Sequence, residues 1–173
     1  EAFWNVFGAV FKEGLYEDFE RRDDLLELAR FRSTAGDGLV SLKDYVSRVK
    51  DGQDAVYYIT GENAATLKNS PQLEGFIAKG IEVLLLTAPI DEFWIPSVGV
   101  YKKLPLKSVA EAGADLSTIT GDEKQDPPED AAPEDTIKSL IENLKKTLGE
   151  AIADVRSSDR LTESPVCLVS ETG

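Results

Sequence analysis

Two apolar runs near the middle of the chain, separated by a helical pattern, form its most regular segment. The first run, residues 56–59, is β-branched and aromatic, and the second, residues 81–86, is almost entirely aliphatic. Continuous apolar strands of this length are typical of a sheet covered on both faces, as parallel sheets are. Between the runs, Ser70 and Pro71 match a helix cap followed by a first-turn proline, and Gly80 is placed to end the helix. The pattern therefore predicts a βαβ unit with a right-handed crossover.

Helical spacing of apolar residues dominates the part of the chain before this unit. It predicts helices over residues 2–11 and 15–32, separated by the breaker at residues 33–38 from a third helix. Ser41 is placed to cap that third helix, with Asp44 at the third helical position in a near capping box. Three helices are therefore expected before the βαβ unit.

The segment after the second apolar run changes character. Residues 91–100 predict a short, broken amphipathic helix at the carboxyl end of that strand, which is where ligands bind in many open α/β sheets. Apolar residues between 104 and 109 predict a third strand, interrupted by Pro105.

The chain beyond the third strand is acidic and rich in proline. Residues 111–135 predict a linker and the best domain boundary in the chain. Sustained helical periodicity follows over residues 137–152, and short strands are expected at residues 153–157 and 166–170. One helix and two strands are too few for an independent domain, so this last part is predicted to be an incomplete α+β piece.

The net charge, the lack of histidine and the single cysteine exclude several kinds of site and partner. The net charge of −13 argues against a nucleic-acid or anionic-membrane surface. The chain has no histidine, which excludes a Ser-His-Asp triad, a Cys-His pair and a histidine-ligated metal site. The single cysteine, Cys167, excludes an intramolecular disulfide, fits a reducing compartment and lies in an apolar run that predicts a buried, inert thiol. The start at Glu1 without any methionine predicts a piece of a longer protein.

An ordered series of motifs along most of the chain resembles the heat-shock-protein-90 chaperone family, most closely its bacterial high-temperature protein G type. The motifs that carry the resemblance are Leu15-Tyr16-Glu17-Asp18, residues 28–34, residues 41–48, Tyr57-Tyr58-Ile59-Thr60-Gly61-Glu62, Asn69-Ser70-Pro71-Gln72-Leu73-Glu74, residues 80–86, Pro89-Ile90-Asp91-Glu92, residues 158–161 and residues 164–169. A long ordered series is far more specific than one short pattern.

The resemblance implies a fold and a domain organisation. It identifies residues 1–110 with the C-terminal part of the family's middle domain, in which residues 1–50 are a three-helix connector and residues 54–110 a small α/β/α layer. The fold class expected is α/β with a mainly parallel sheet. Residues 111–135 then form the acidic linker, and residues 136–173 the truncated start of the C-terminal dimerisation domain.

The resemblance also implies a function for the longer protein. It is an ATP-dependent chaperone that binds partly folded client proteins, works with co-chaperones and forms a homodimer in the cytoplasm. ATP and Mg²⁺ bind outside the segment present here, so the chain is expected to hold no cofactor, to catalyse nothing, and to be mainly a monomer that couples the ATPase domain to the dimerisation domain. No nucleic acid or membrane is expected among its partners.

Two groups of residues are candidates for contacts with other molecules or domains. Glu92, Phe93 and Trp94 lie where the family's bacterial members hold clients, and an acidic residue beside an exposed aromatic suits that role. The alternative is that the aromatic residues cover the sheet, since tryptophan is usually largely buried. Five arginines are candidates for interdomain ion pairs, although solvated or locally paired arginines are more common: Arg21, Arg22, Arg30, Arg32 and Arg48.

Two other classes of function stay open at this point. One is a purely structural connector that touches no client. The other is a small α/β nucleotide-binding enzyme, which the lack of a phosphate-binding glycine loop after Thr60-Gly61-Glu62 and the lack of histidine both disfavour.

Overall fold

The computed structural model describes residues 1–111, 116, 119, 134–158 and 160–170, and of Glu134 only the backbone. Its helices are α1 (Ala2–Glu17), α2 (Arg22–Leu28), α3 (Leu42–Ser47), α4 (Ala64–Lys68), α5 (Glu74–Ala78), α6 (Asp91–Val98) and α7 (Glu134–Leu148). Its strands are β1 (Phe31–Ser33), β2 (Leu39–Val40), β3 (Val56–Thr60), β4 (Leu84–Leu86), β5 (Val100–Tyr101) and β6 (Leu104–Ser108). Single 3-10 turns cover Pro71–Leu73 and Gly149–Ala151.

The strands form one mixed sheet in the order β2-β1-β4-β3-β6-β5. β3 pairs in parallel with both β4 and β6, which confirms the predicted βαβ unit and the predicted third strand. The remaining neighbours, β1 with β2, β1 with β4, and β5 with β6, are antiparallel, so the expectation of a mainly parallel sheet is wrong. β1 and β2, and likewise β5 and β6, are antiparallel because each pair is joined by a short turn. Lys102 and Lys103 make such a turn between β5 and β6, both with positive φ. β1 and β4 pair antiparallel although the chain between them contains β3 and three helices.

The helix expected over residues 15–32 does not form as one element. α1 continues to Glu17, a turn follows, and α2 ends at Leu28 before the chain extends into β1. Phe31 is buried, and Arg32 pairs with Leu85 of β4 in the sheet. Three helices do precede β3, but β1 and β2 lie between the second and third of them and belong to the same sheet as the βαβ unit.

Alternate residues of the central strands pack into cores on opposite faces of the sheet. Val56 and Leu84 lie in the core that α1, α2, α3 and α6 cover. Tyr57 and Leu85, their neighbours in sequence, lie in the core that α4 and α5 cover, where the Tyr57 ring meets Phe76 with centroids 4.9 Å apart. Burial on both faces explains why these strands read as continuous apolar runs.

The helix caps that the sequence predicts are present in the structure. Ser41 Oγ accepts the Asp44 N–H at 3.0 Å, and the Asp44 carboxylate accepts the Ser41 N–H at 3.1 Å, which completes the capping box of α3. Ser70 caps the 3-10 turn that leads into α5, and Gly80 follows α5 with a φ of +64°. A further helix, α4, begins after Asn63, whose side chain accepts the Thr66 N–H at 2.8 Å.

In the C-terminal part of the chain, the predicted helix is present but the predicted strands are not. α7 and the turn that follows match the predicted helix over residues 137–152. The strands expected at residues 153–157 and 166–170 are wrong, because both segments are irregular apart from a single bridge between Ser170 and Glu111. Most of the acidic linker, residues 111–135, lies outside the described residues. No helix in the described ranges has the length and apolar character to cross a membrane.

Candidate functional site

The predicted short helix at the carboxyl end of β4 is present as α6, and it packs along α1. Pro96 lies inside α6, and Gly99 ends the helix with a φ of +65°, its N–H donating to the Ile95 carbonyl at 2.8 Å. A glycine is suited to this position because other residues are strained at such a φ. Residues 91–98 therefore form a well-defined element at the edge that open α/β sheets commonly use for binding.

A buried ion pair connects α6 to α1. Lys12 Nζ lies 2.8 Å from Oδ1 of Asp91, and the Asp91 residue is fully buried. The Asp91 carboxylate also accepts the Trp94 indole N–H at 2.7 Å and the Ala88 backbone N–H at 3.0 Å. The Lys12 ammonium lies 5.1 Å from the centroid of the Phe31 ring. A buried charge is costly unless it is paired and hydrogen-bonded, and this carboxylate has both kinds of partner.

The structure separates the three predicted contact residues. Trp94 is 0% exposed and packs on Phe31 with ring centroids 5.6 Å apart, so it covers the sheet as in the alternative interpretation. Phe93 is 55% exposed, and Glu92 beside it is exposed as well. Only Glu92 and Phe93 are therefore available to another molecule, while Trp94 anchors the helix that carries them.

An additional aromatic residue, Tyr16 of α1, joins this surface. Tyr16 is 45% exposed, and its ring meets that of Phe93 with centroids 6.1 Å apart and planes inclined by 65°. We call Tyr16, Glu92 and Phe93 the aromatic patch. Tyr16 was missed by the sequence reasoning because no local signal relates two residues that are distant along the chain.

Two of the five candidate arginines are held within the fold. The Arg22 guanidinium donates at 2.9 Å to the carbonyls of Leu15 and Ser97 and to the Ser97 hydroxyl, so it ties α2 to the end of α6. The Arg48 guanidinium donates to both carboxylate oxygens of Glu82 at 2.9 and 3.0 Å, and this bidentate contact raises the pKa of Arg48.

The other three arginines lie at the turn after α1, at the end of α2 and on β1. Arg21 pairs with Asp18 at the start of the turn after α1, a contact that lowers the pKa of the Asp18 carboxyl. Arg30 donates to the carbonyls of residues 27–29 at the end of α2. Arg32 points out of β1 into solvent. The arginines are thus dispersed over the surface, and their role in interdomain contacts stays a prediction.

The cysteine segment differs from its expectation. Cys167 is half-buried, and its neighbours Val166 and Leu168 are 66% and 80% exposed. The prediction of a buried thiol is therefore wrong, because Cys167 is only half-buried.

Comparisons with known proteins relate the chain to one family. A family model described as Hsp90 protein matches residues 1–173. Two bacterial relatives, each described as chaperone protein HtpG, come from Paramagnetospirillum magneticum and Rhodospirillum rubrum. The first is 60% identical over 174 residues, covering 100% of this chain and 28% of the relative. The second is 55% identical over 175 residues, covering 99% of this chain and 28% of the relative.

A solved structure shares the fold. It is the middle domain of a putative heat shock protein of Plasmodium falciparum, with a TM-score of 0.57 and 39% identity, and the match covers 62% of this chain and 46% of that one. The present chain spans about 28% of the length of the two bacterial relatives.

Proposed function

Because this chain belongs to the Hsp90 family, we propose that it is the part of a cytoplasmic, ATP-dependent, HtpG-type chaperone that contacts partly folded clients and couples the ATPase domain to the dimerisation domain. Residues 1–110 act as the C-terminal part of the middle domain, an assignment that the likeness to a heat-shock middle domain supports. Residues 136–173 act as the start of the dimerisation domain, after the acidic linker at residues 111–135. Co-chaperones are a further class of partner in this proposal.

The aromatic patch is the observation that carries the client-binding part of the proposal. Two large rings, Tyr16 and Phe93, are about half exposed and in contact with each other. Exposed aromatic side chains supply non-polar area at a small cost in conformational entropy. Glu92 places a carboxylate beside them, and charge next to an apolar patch limits self-association. The combination suits the transient holding of apolar segments in an unfolded chain.

The buried cluster beneath the patch gives it a defined geometry. Asp91 and Trp94 precede and follow the two patch residues of α6, and Lys12 joins this helix to α1, which carries Tyr16. A preformed surface binds with less loss of side-chain freedom than one that must be assembled. Trp94 and Asp91 thus act as positioning residues, and clients meet Glu92, Phe93 and Tyr16.

A binding titration with matched variants tests the client-binding role. The probe is a permanently unfolded, carboxymethylated model protein, followed by backbone amide shifts of the chain. Phe93→Ala and Tyr16→Ala are each expected to weaken binding roughly tenfold, as loss of an interface aromatic does. Phe3→Ala is the control, because Phe3 is also 55% exposed but lies at the opposite end of α1. Equal losses for Phe3→Ala and Phe93→Ala would contradict a specific patch.

The proposal places ATP and Mg²⁺ outside this chain. Calorimetry with Mg-ATP should therefore give no micromolar binding to the 173-residue chain, and ultracentrifugation should give mainly monomer. Micromolar nucleotide binding would instead favour the alternative of a nucleotide-binding enzyme module. Normal folding with no response to the unfolded probe would favour the structural connector.

A further inference from the structure

The side chain of Glu74, at the start of α5, captures a loop from the C-terminal part of the chain. Its carboxylate accepts the backbone N–H groups of Thr162 at 2.7 Å, Glu163 at 2.9 Å and Ser164 at 3.1 Å. The Ser164 hydroxyl donates to the same carboxylate. These hydrogen bonds favour the ionised form and lower the pKa of Glu74 to about 2. One carboxylate thus accepts hydrogen bonds from the backbone N–H groups of three consecutive residues.

A second contact depends on shape rather than charge. A Cβ atom added at Gly75 would lie 2.8 Å from the Arg160 carbonyl oxygen and 3.1 Å from the Arg160 Cα. Only glycine allows the backbone at Arg160 to approach α5 this closely. The Arg160 guanidinium then lies 5.4 Å from the centroid of the Phe76 ring and donates to the Val109 carbonyl at 2.9 Å.

Further contacts hold the end of the described chain to the same unit. The Gln72 side-chain amide donates to the Leu168 carbonyl at 2.7 Å, and the Ser170 N–H donates to the Ala110 carbonyl at 2.9 Å. Residues 160–170 are thus attached by several polar contacts although they form no regular strand or helix.

The hydrophobic effect contributes little to this docking. Val166 and Leu168 are 66% and 80% exposed and Val169 is exposed as well, whereas Leu161 is half-buried, so the segment leaves most of its apolar surface in solvent. Burial of apolar surface is the usual driving force for holding one segment against another. Since little apolar surface is buried here, charge-assisted hydrogen bonds and the close backbone contact at Gly75 decide whether the segment stays docked.

We propose that Glu74, Gly75 and Arg160 form a latch that docks residues 160–170 on α5 and links the βαβ unit to the part of the chain after the acidic linker. Its role as an interdomain coupling rests on the proposed function, whereas the docking itself does not. α5 leads into β4, and β4 leads into α6, which carries Phe93. Glu74 and Phe93 therefore lie on the two helices that precede and follow β4, and this one strand connects the helix of the latch to the helix that carries part of the aromatic patch.

Amide hydrogen exchange of the 173-residue chain tests the latch. Glu74→Gln keeps the size of the side chain and removes its charge, and the amides of residues 162–164 should then exchange about tenfold faster or more. Glu62→Gln, an exposed residue after β3, is the matched control and should leave these amides unchanged. Amides of β3 report on the core and should stay protected in both variants.

Gly75→Ala provides an independent test. Alanine favours a helix more than glycine does, so α5 should persist while the added methyl group displaces Arg160 and speeds exchange at residues 162–164. The proposal is overturned if the amides of residues 162–164 are unprotected in the parent chain, or if Glu74→Gln and Glu62→Gln behave alike. Because this readout contains neither client nor nucleotide, its failure is distinct from a failure of the client titration.

Discussion

Lys12 and Asp91 form an ion pair of 2.8 Å that is buried between α1 and α6, although 79 positions separate them in the sequence. Lysine and aspartate are almost never buried unless they are paired. The pair has a structural consequence, because it fixes α6 against α1 and so brings Phe93 to Tyr16. The polar interior of this interface therefore determines the geometry of an exposed aromatic surface.

Removal of the lysine charge should destabilise the protein strongly. Lys12→Met leaves the Asp91 carboxylate buried without its charged partner, and the expected loss in the free energy of unfolding is about 3–5 kcal/mol. Urea denaturation followed by circular dichroism measures it. Lys68→Met is the control, because the Lys68–Asp37 pair is exposed and its loss should change stability far less. Similar losses in the free energy of unfolding for both variants would show that the buried pair stabilises the protein no more than the exposed pair does.

The two tryptophans should differ in their access to solvent. With Trp4→Phe, the remaining emission comes from Trp94, which is fully buried, so it should be blue-shifted and poorly quenched by acrylamide. With Trp94→Phe, the emission comes from the partly exposed Trp4 and should be quenched more readily. Addition of the unfolded probe should leave the Trp94 spectrum nearly unchanged. A large probe-induced shift would show that Trp94 itself meets the client.

Removal of the Tyr45 hydroxyl should lower the free energy of unfolding strongly for the loss of a single oxygen atom. This buried group accepts the Tyr57 N–H at 2.9 Å and the Gln53 amide at 3.1 Å, and it donates to the Glu82 carbonyl at 2.7 Å. Burial raises the pKa of Tyr45 above its ordinary value. Tyr45→Phe leaves these partners without the hydroxyl and should reduce the free energy of unfolding by about 1–3 kcal/mol.

The matched control for this prediction is Tyr58→Phe. Tyr58 is a half-buried tyrosine of the same strand as Tyr57, and no hydrogen bond of its hydroxyl is present among the residues that the structure describes. Its removal should change stability by less than about 1 kcal/mol. Chemical denaturation of both variants under one set of conditions makes the comparison, and equal effects would contradict a distinct role for Tyr45.

Docking of the C-terminal segment should weaken in acid. The pKa of Glu74 falls from an ordinary 4.5 to about 2 when its carboxylate is bound, so this group stabilises docking fully above about pH 4.5, and the contribution is lost as the pH falls toward 2. Arg160, whose guanidinium lies against the Phe76 ring of the same helix, stays charged throughout that range. The amide shifts of Thr162 and Ser164 should therefore hold constant down to about pH 4.5 and move below it. The same movement in Glu74→Gln would disprove the assignment to this carboxylate.

Local signals were sufficient for several elements. The Ser41 and Asp44 pair predicted a capping box, and Ser70-Pro71 with Gly80 predicted the entry and exit of the crossover helix, because a cap depends on residues within one turn. The helix at residues 91–98 was likewise predictable from its amphipathic pattern.

Long-range pairing overturned other predictions. Apolar residues at helical spacing continued through Phe31, yet residues 31–33 form a strand, because hydrogen bonds to β2 and β4 outweigh the local preference. The predicted strand at residues 166–170 failed for the complementary reason, since no described strand lies alongside it apart from the single bridge at Ser170.

The amino-acid sequence by itself determined the family, the βαβ unit, the caps and the position of the helix that carries Phe93, because these depend on residue type and on spacing within a few turns. Tertiary structure alone decided that Trp94 turns inward while Phe93 turns outward to meet Tyr16. It also decided that Glu74 receives the amides of residues 162–164. Each of these contacts joins residues far apart along the chain, and its free energy depends on burial and hydrogen-bond geometry that exist only once the sheet has brought the elements together.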